Sequence, residues 1–410
     1  MLRVEGAQLF RARLTSSILS NRPVLIAKIR ELDDRPGVTD YEVSFAKLVD
    51  KLTNGTAISI NETGTSVTVR PGYMVGGAIE HECEGRAIGY FLEGILPLCL
   101  FARDPVELTL TGVTNDDVDI CVDLFATVTL PLVRRFGLEH PPTLEVLRRG
   151  LAPRGKGVVV LRSPVARELR AVQLMDPGFV RKVRGLAYAV RVSPQFANRM
   201  ATEARGIFNT LLPDVYINTD HTKSRDVVPG FGLSIYAVTT TGCLLGSKRA
   251  ATRRSLLDKG KASAKNILGI DDPAAAFRSD KEIAAEHDKA AENEQDDETR
   301  TKGWRIPGVK AQSEPEEVAT NVAHQVLEQI AQGGCVDATH QPLLFMLMTL
   351  CPEDVSKARV GTLTPYSMRY LRMIKDFFGV TFRLQVDDAT STTLCSCVGV
   401  GYKNLSRKVT

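Results

Sequence analysis

Residues 341–401 read QPLLFMLMTLCPEDVSKARVGTLTPYSMRYLRMIKDFFGVTFRLQVDDATSTTLCSCVGVG, and the spacing of the apolar residues changes several times along this stretch. Apolar residues three and four positions apart are typical of a helix that is buried on one side. Short runs rich in β-branched and aromatic residues are typical of strands. The stretch therefore predicts helices and strands in the order helix, strand, helix, strand, strand, at 341–350, 358–361, 366–378, 380–386 and 394–401.

The same order of elements occurs twice more in the chain. The first copy is predicted at 7–20, 23–30, 41–52, 57–61 and 66–70. The second copy is predicted at 85–102, 106–110, 118–136, 144–149 and 157–161. Three copies of one unit favour a large domain with pseudo-threefold symmetry. We therefore expect an α/β (α+β) fold with three repeated helix–strand–helix–strand–strand units.

A further segment, between the second and third copies, has helix and strand signals of its own at 194–212 and 232–239. We predict a smaller inserted α/β domain at 184–314, between two parts of the large domain at 1–183 and 316–410. The end of the insertion, 259–315, is poor in large apolar residues. Nine acidic residues stand against three basic ones between Asp280 and Arg300, which predicts a solvated linker.

The overall composition is that of a globular protein with a large core, since 43% of the 410 residues are apolar and 24% are charged. The most apolar stretch, 88–101, is shorter than the roughly 20 residues of a membrane-spanning helix and contains Glu93. We expect no membrane association. The eight cysteines form no CxxC pair, so we predict reduced thiols and neither a metal site nor a cofactor.

Basic residues form local clusters although the net charge is only +4. Such clusters favour contact with phosphate groups, and the alternative is that each is an ordinary solvated surface. The clusters comprise Arg134, Arg135, Arg148, Arg149, Arg154, Lys156, Arg181, Lys182, Arg184, Lys248, Arg249, Arg253 and Arg254.

Five short stretches occur in an order that is typical of one known family. They are QLFRARL (8–14), IRELDDRPG (29–37), RPG (70–72), RRGLAPRGKG (148–157) and GGCVDATHQPLLFML (333–347). In these stretches the chain resembles the RNA 3′-terminal phosphate cyclase family, which implies the cyclase fold over nearly the whole chain. Further stretches resemble the cyclase-like branch of the family rather than the active enzymes: LTNGTAISINETGT (52–65), GVTNDDVD (112–119), VRGLAYAVRVSPQFANRM (183–200) and CVGVGYKNLS (397–406).

The resemblance also indicates which catalytic groups are missing. True cyclases have a glycine-rich run before the first helix, where this chain reads VEGA at 4–7. They form a covalent histidine–nucleotide intermediate with a histidine at the opening of the last large helix. In this chain that position falls near Pro365 and Tyr366, and neither residue is a histidine. The nearest histidine, His340, lies one structural element earlier in the sequence. We therefore expect no cyclase activity and no catalytic residue.

Four cations are candidates for binding RNA or another anion. Arg11 and Arg30 match family arginines that lie beside the end of the RNA substrate. Arg149 and Lys156 lie near the two ends of the loop 149–157, and Lys156 interrupts a glycine triplet of the family there. Phosphate contacts require only correctly placed cations, so binding does not depend on the lost histidine. The alternative for Arg11 is that it extends from an apolar helix to reach solvent.

The predicted helix 366–378 has two different faces. Its core-facing residues are expected to be Tyr370, Leu371, Ile374, Phe377 and Phe378, at helical spacing. Arg369, Arg372 and Lys375 lie three apart on another side. In a cyclase this helix borders the active cleft, so we predict that these cations bind a partner protein, the alternative being an ordinary solvated helix face.

The resemblance implies a non-catalytic assembly factor of the small-subunit processome, which is needed for early pre-rRNA processing and small ribosomal subunit biogenesis. The expected location is the nucleolus. The expected partners are a nucleolar ribosome-biogenesis GTPase, other processome proteins and pre-rRNA.

Two alternatives remain open from the sequence. An endoribonuclease that cuts the pre-rRNA spacer would need a general base or metal ligands near the bound RNA. The other alternative is an active cyclase. The candidates for nuclease chemistry are Asp116, Asp117, Asp119, Asp123, Asp220 and His221, although an acidic turn before a helix is also typical of a helix cap.

Overall fold

The computed structural model describes residues 1–153, 155–222, 227–252 and 314–407. Nearly all of the predicted acidic linker lies outside the described residues, so its expected solvation stays a prediction. Arg154, Arg253 and Arg254 of the basic clusters also lie outside them.

The first unit forms a four-stranded sheet with two helices. Its elements are β1 (Leu2–Glu5), α1 (Phe10–Ser20), β2 (Val24–Ala27), α2 (Asp40–Leu52), the short β3 (Thr53–Asn54), β4 (Ala57–Ile60) and β5 (Val67–Arg70). The sheet order is β1-β2-β5-β4, with β1 and β2 parallel and the other pairs antiparallel.

The second unit repeats this topology. After β6 (Tyr73–Met74), which pairs with β3, come β7 (Gly77–Glu82), α3 (Ile88–Leu100) and β8 (Val106–Gly112). A helical segment, called α4 here, consists of Val122–Leu124, the π-helical turn Phe125–Thr129 and Leu130–Arg134. It is followed by β9 (Thr143–Arg148) and β10 (Gly157–Ser163), and the sheet order is β7-β8-β10-β9.

The helix predicted at 118–136 begins later than expected. The carboxylate of Asp116 accepts hydrogen bonds from the backbone N–H groups of Val118 and Asp119, at 3.1 and 2.8 Å. These bonds hold the start of the segment in a tight turn, because an aspartate side chain competes with the helical backbone for its own neighbours. The helix therefore starts only at Val122.

The inserted domain follows β11 (Gln173–Leu174). It consists of β12 (Val180–Val190), α5 (Gln195–Asn209), β13 (Val215–Thr222), β14 (Gly230–Thr239), β15 (Leu244–Thr252) and α6 (Pro315–Ala331). The order of this small sheet is β13-β12-β14-β15, with β13 and β12 parallel. Both helices pack on one face of the sheet, around a separate core that includes Met200, Phe208 and Val322.

The boundaries of the insertion differ from those predicted at 184 and 314. Strand β12 starts at Val180, four residues earlier, and helix α6 belongs to the core of the small sheet rather than to the third unit. The reason is that α6 has an apolar stripe, Val318, Val322 and Val326, which is buried against the small sheet. Periodicity predicts such a stripe but not the sheet that covers it.

The third unit closes the large domain. After α6 the chain forms α7 (Gln341–Thr349), β16 (Val355–Val360), α8 (Pro365–Phe378), β17 (Arg383–Asp387) and β18 (Thr392–Val398). The sheet order is β11-β16-β18-β17, so β11 occupies the place that β1 and β7 have in the other units. The predicted cyclase-family fold with three repeated units is confirmed, and each unit has an additional leading strand that runs parallel to its neighbour.

The helices of the three units meet in one continuous apolar core. Its largest fully buried side chains include Phe45, Phe91, Phe125, Phe345 and Phe377, which come from all three units. Among the described residues, no helix combines the length and the apolarity that a membrane crossing requires.

Candidate functional site

The opening of α8 is the place where the family's histidine is expected. Thr364 caps the helix, because its hydroxyl oxygen accepts a hydrogen bond of 3.0 Å from the backbone N–H of Ser367. The hydroxyl of Ser367 donates in turn to the side-chain oxygen of Gln341, at 2.8 Å. Pro365 and Tyr366 form the first turn, so this end of the helix carries no histidine.

Arg11 reaches this place from α1. Its guanidinium donates to the carbonyl oxygen of Tyr90 at 2.7 Å, forms an ion pair with Glu93, and lies 4.4 Å from the centre of the Tyr90 ring. Burial lowers the pKa of Arg11, but Glu93, Tyr366, Tyr90 and Asp119 together raise it by more, so the net shift is upward. Burial raises the pKa of the Tyr366 hydroxyl, and the nearby cation of Arg11 opposes that rise.

A second arginine, which sequence reasoning missed, lies beside the first. Arg86 binds the carboxylate of Asp119 through two hydrogen bonds, of 2.8 and 2.5 Å. Its guanidinium also lies 5.3 Å from the centre of the Tyr41 ring and 5.0 Å from that of Tyr90. No sequence signal pointed to Arg86, since it belongs to a short loop before α3. We call Arg11, Arg86, Tyr41, Tyr90 and Tyr366 the arginine–tyrosine cluster.

Arg30 is held in a similar way. It binds both carboxylate oxygens of Glu42 at 2.8 Å, and donates to the carbonyl oxygen of Gly37 at 3.0 Å. Glu42 also accepts the backbone N–H of Thr39 at 2.9 Å and closes the capping box of α2. Arg30 therefore fixes the loop that precedes α2.

The electrostatic consequence is that Arg11, Arg30 and Arg86 offer little free positive charge. Three arginines, at positions 11, 30 and 86, each face one carboxylate at short distance, namely Glu93, Glu42 and Asp119. A phosphate group would have to compete with these bound carboxylates. These residues offer aromatic surface and neutralised cations, and Pro365 and Tyr366 stand where the nucleophile of the cyclase reaction is expected.

Arg149 connects the two domains. It binds the carboxylate of Asp123 at 2.8 and 2.9 Å, donates to Asp220 in β13 at 3.1 Å, and lies 4.8 Å from the centre of the Tyr188 ring in β12. Its side chain is only 7% exposed. Burial lowers the pKa of Arg149, but Asp123, Tyr188 and Asp220 together raise it by more, so the group stays charged.

Lys156 differs from the three predicted arginines. It is exposed, its backbone has a positive φ of 55°, and no ion pair of its side chain occurs among the described residues. The neighbouring Gly155 also has a positive φ, of 61°, and a Cβ there would lie 2.4 Å from the backbone carbon of Gly112. This packing requires glycine at 155, and it leaves Lys156 on the outside of the loop.

The acidic turn that was considered for nuclease chemistry is a connector. Asp117 accepts the backbone N–H of Ala250 in β15 at 2.7 Å, and the backbone carbonyl of Asp116 accepts a hydrogen bond from Lys248. Asp119 and Asp123 bind arginines, as described above. Within the described ranges, no group of three or more His, Cys, Asp or Glu side chains is arranged to hold a metal ion.

The structure also shows where His221 and His340, the two histidines considered for catalysis, lie. His221 follows Asp220 on strand β13, so their side chains point to opposite faces of the sheet and do not form an acid–base pair. His340 is buried, with one ring nitrogen 2.6 Å from Asp337 and the other 2.8 Å from the hydroxyl of Thr129. Burial lowers the pKa of His340, but the carboxylates of Asp337 and Glu93 together raise it by more.

The outer face of α8 carries the predicted cationic stripe. Arg369, Arg372 and Lys375 are exposed, whereas Tyr370 and Ile374 are buried in the core. Predicted core residues Leu371 and Phe378 are partly buried against the same core. The stripe is therefore available to a partner, while the other side of the helix is fixed.

The fold, with three repeated units and an inserted small sheet, defines a protein of the cyclase class. The family described as RNA 3′-terminal phosphate cyclase matches residues 2–384, and the chain belongs to this family. It is 40% identical over 411 residues to the "Probable RNA 3′-terminal phosphate cyclase-like protein" of Dictyostelium discoideum, covering 99% of each chain.

Two further relatives have similar coverage. The "RNA 3′-terminal phosphate cyclase-like protein" of Homo sapiens is 40% identical over 412 residues, which cover 98% of this chain and 96% of the human one. The "rRNA processing protein rcl1" of Schizosaccharomyces pombe is 36% identical over 415 residues, which cover 99% and 98%. The relatives carry cyclase-like or rRNA-processing names.

Proposed function

We propose that this protein is a non-catalytic assembly factor of the small-subunit processome, which acts in early pre-rRNA processing by binding rather than by turnover. The observation that carries the proposal is that Pro365 and Tyr366 open α8, where the histidine of the cyclases is expected. The rRNA-processing name of the fission yeast relative supports the same role. The nucleolus is the location that this role requires.

Neither of the nearby groups replaces the missing nucleophile. The pKa of the Tyr366 hydroxyl is raised, so the phenol is protonated and weakly nucleophilic at neutral pH. His340 uses both ring nitrogens in hydrogen bonds inside the core. A cyclase mechanism therefore lacks a group that can accept the nucleotide.

The cationic stripe of α8 is the surface that we propose for the nucleolar GTPase. Arg369, Arg372 and Lys375 are exposed on a helix whose opposite side is rigidly packed, which suits a preformed docking surface. An acidic segment of the GTPase would bind Arg372 through two hydrogen bonds, a geometry that lysine cannot copy. Other processome proteins are expected to share the remaining surface.

The four cations predicted to bind pre-rRNA differ in how accessible they are to a phosphate group. Arg11, Arg30 and Arg149 are engaged by carboxylates and shape the protein, so an RNA phosphate reaches them only by displacing those partners. Lys156 is the member of the four that stands exposed on its loop. We therefore propose Lys156 as the phosphate contact of this set.

The endoribonuclease alternative receives no support from the geometry. The aspartates considered for it bind arginines, lysine or backbone N–H groups, and His221 points away from Asp220. A general base for RNA cleavage must be free to accept the proton of the attacking hydroxyl group. The paired carboxylates do not satisfy that condition.

The proposal is tested by supplying the chain to cells from which the endogenous cyclase-like protein has been depleted. Restored pre-rRNA processing is expected. In parallel, the purified protein is incubated with a labelled pre-rRNA fragment that spans the spacer, and the fragment is expected to remain intact. Failure to restore processing would refute the assembly role, and site-specific cutting would favour the nuclease.

A further inference from the structure

Two cysteine side chains meet at the junction of the two domains. Cys243 is the residue before β15, in the turn that joins β14 to β15 of the small sheet, and Cys335 lies in the loop between α6 and α7. Leu244 and Val336, the residues that follow them, form an isolated parallel bridge between the two segments. Bridged backbones lie about 4.8 Å apart, within the roughly 4.4–6.8 Å between Cα atoms that a disulfide spans. The two cysteines are therefore neighbours across the domain junction.

Both sulfur atoms lie against the same short stretch of backbone. The Cys335 sulfur is 3.3 Å from the carbonyl oxygen of Leu174, and the Cys243 sulfur is 4.0 Å from the carbonyl oxygen of Asp176. Both cysteines are buried, and neither is bonded in a disulfide. The two thiols also form a hydrogen bond with each other. They are therefore a buried dithiol whose partners come from different domains.

The surroundings of the pair favour a negative charge on Cys243. The hydrogen bond with Cys335 lowers the pKa of the Cys243 thiol, and so do the hydroxyl of Thr241, at 3.5 Å, and the charge of Arg135, while burial opposes them. The hydrogen bond with Cys243 raises the pKa of Cys335, and burial adds to that rise. Cys243 is therefore the thiolate of the pair, and Cys335 is the thiol that donates to it.

The other six cysteines have a different environment. Burial raises the pKa of each of these thiols: Cys83, Cys99, Cys121, Cys351, Cys395 and Cys397. A thiol with a raised pKa holds little of the nucleophilic thiolate at neutral pH. Oxidation of the folded chain is therefore expected to begin at Cys243.

Two adjoining cavities lead to the dithiol. The inner cavity, of about 80 Å³, is lined by both cysteines, and the outer cavity, of about 460 Å³, is lined by Thr241 and Lys357. Arg135 and Leu174 line both cavities, and Arg135 is exposed at the surface. A water molecule occupies about 30 Å³ in the liquid, so the inner cavity has room for a small polar oxidant such as hydrogen peroxide.

We propose that Cys243 and Cys335 form an oxidisable dithiol, which a hydroperoxide converts to a disulfide between the two domains. The Cys243 thiolate attacks one peroxide oxygen, so an S–O bond forms and the O–O bond breaks. The hydroxide that leaves takes up the proton released by Cys243 and becomes water. The Cys335 sulfur then attacks the sulfenic sulfur, so the S–S bond forms and the S–O bond breaks, and the second hydroxide leaves as water with the Cys335 proton.

The electrons balance, because the two thiols lose two electrons and one hydrogen peroxide molecule gains two. The new bond ties the turn before β15 to the loop before α7, and thus the small sheet to the third unit. Disulfides in proteins of reducing compartments are usually transient and redox-sensing, which fits a pair that is reduced at rest. The reaction is independent of any part in pre-rRNA processing.

The test uses the full chain, freed from reductant and exposed to a small excess of hydrogen peroxide. After an acid quench, the remaining thiols are alkylated in denaturant and counted by mass spectrometry. The first product is expected to have lost two of the eight thiols and to give one cross-linked peptide pair containing Cys243 and Cys335. Dithiothreitol should restore both thiols. Similar oxidation rates at all the cysteines, a different first pair, or no oxidation of the folded chain would overturn the proposal.

Substitutions separate the roles of the two sulfurs. Cys335→Ser keeps a hydrogen-bond donor beside Cys243 but removes the resolving sulfur, so oxidation should stop at a sulfenic acid that dimedone labels at Cys243. Cys243→Ser should slow the loss of the first thiol by more than about ten-fold, since the remaining thiols hold little thiolate.

Cys351→Ser is the matched control, because Cys351 is also buried and burial raises its pKa. It should form the Cys243–Cys335 cross-link at the wild-type rate. Dimedone labelling elsewhere in Cys335→Ser, or a control that loses the cross-link while circular dichroism shows it folded, would contradict the assigned roles. The wild-type cross-link is measured without any substitution, so the proposal stands or falls on it even where a variant does not fold.

Discussion

The guanidinium of Arg149 and the carboxylate of Asp123 are joined by two hydrogen bonds, of 2.8 and 2.9 Å, at a place where both side chains are nearly excluded from solvent. Arg149 follows β9 in the large domain, and it also contacts Asp220 and Tyr188 of the small sheet. This single side chain therefore links the α4 segment of the large domain to the small sheet. Arg149, which the sequence predicts to bind anions, therefore has a structural role in the fold.

Replacement of Arg149 by alanine should destabilise the protein strongly, because it leaves the carboxylate of Asp123 buried without a cation. We expect a loss of about 3–5 kcal/mol in the free energy of unfolding, measured by urea denaturation. Arg162→Ala is the control, since Arg162 pairs with Glu145 at 2.9 Å where both side chains are half exposed. That change should cost less than about 1 kcal/mol. Equal losses in the two variants would contradict a structural role for Arg149.

The aspartate turn before α4 gives a prediction for pH. Burial, together with the nearby Asp119, raises the pKa of Asp116 to about 6. The unfolded chain releases this proton near pH 4, so between pH 4 and pH 6 the folded protein holds more protons than the unfolded chain. The contribution of Asp116 to stability therefore falls as the pH rises through this window.

Asp116→Asn removes that titration while keeping the oxygen that accepts the N–H groups of Val118 and Asp119. The free energy of unfolding of the variant, relative to wild type, should rise by about 1 kcal/mol between pH 4 and pH 7. The effect is limited because a fifth of the Asp116 side chain is exposed to solvent. Denaturant titrations at several pH values measure it. A difference that stays flat across the range would show that the carboxyl is not perturbed.

Charge reversal on α8 tests the proposed GTPase surface. Arg372→Glu combined with Lys375→Glu should weaken GTPase binding by several kcal/mol if both contacts are buried in the complex, since each cation then faces an opposing acid. Calorimetry or a pull-down with the purified GTPase gives the readout, and thermal melting should stay close to wild type. Lys47→Glu, on the exposed side of α2, is the matched control. Unchanged affinity in the folded double variant would remove α8 from the interface.

The lost cyclase chemistry predicts that labelled ATP leaves no acid-labile nucleotide on the protein, and that an RNA 3′-phosphate is not converted to a cyclic end. Tyr366→His should also be inactive, although it restores a histidine to the first turn of α8. The reason is that Arg11 and Arg30 remain bound to Glu93 and Glu42, so phosphate binding is not restored. An active cyclase of the family, assayed alongside, serves as the positive control. Label on either form would refute the prediction.

The sequence by itself determined the repeated unit. Apolar spacing on α8 placed Tyr370, Ile374 and Phe377 on one face, and the structure buries all three. The same local periodicity located most helices and strands of the three copies to within a few residues. It missed the leading strands β1, β7 and β11, of which β11, with two residues, is too short to show any period. It also missed where α6 packs, because an amphipathic helix does not specify the sheet that covers it.

Only the tertiary structure decided what the candidate cations do. Arg11 meets Glu93 across 82 positions of sequence, and Arg149 meets Asp220 across 71. Helical and strand periods are local and survive in the sequence, whereas the charge that an arginine offers to a ligand depends on which distant carboxylate the folded chain brings against it.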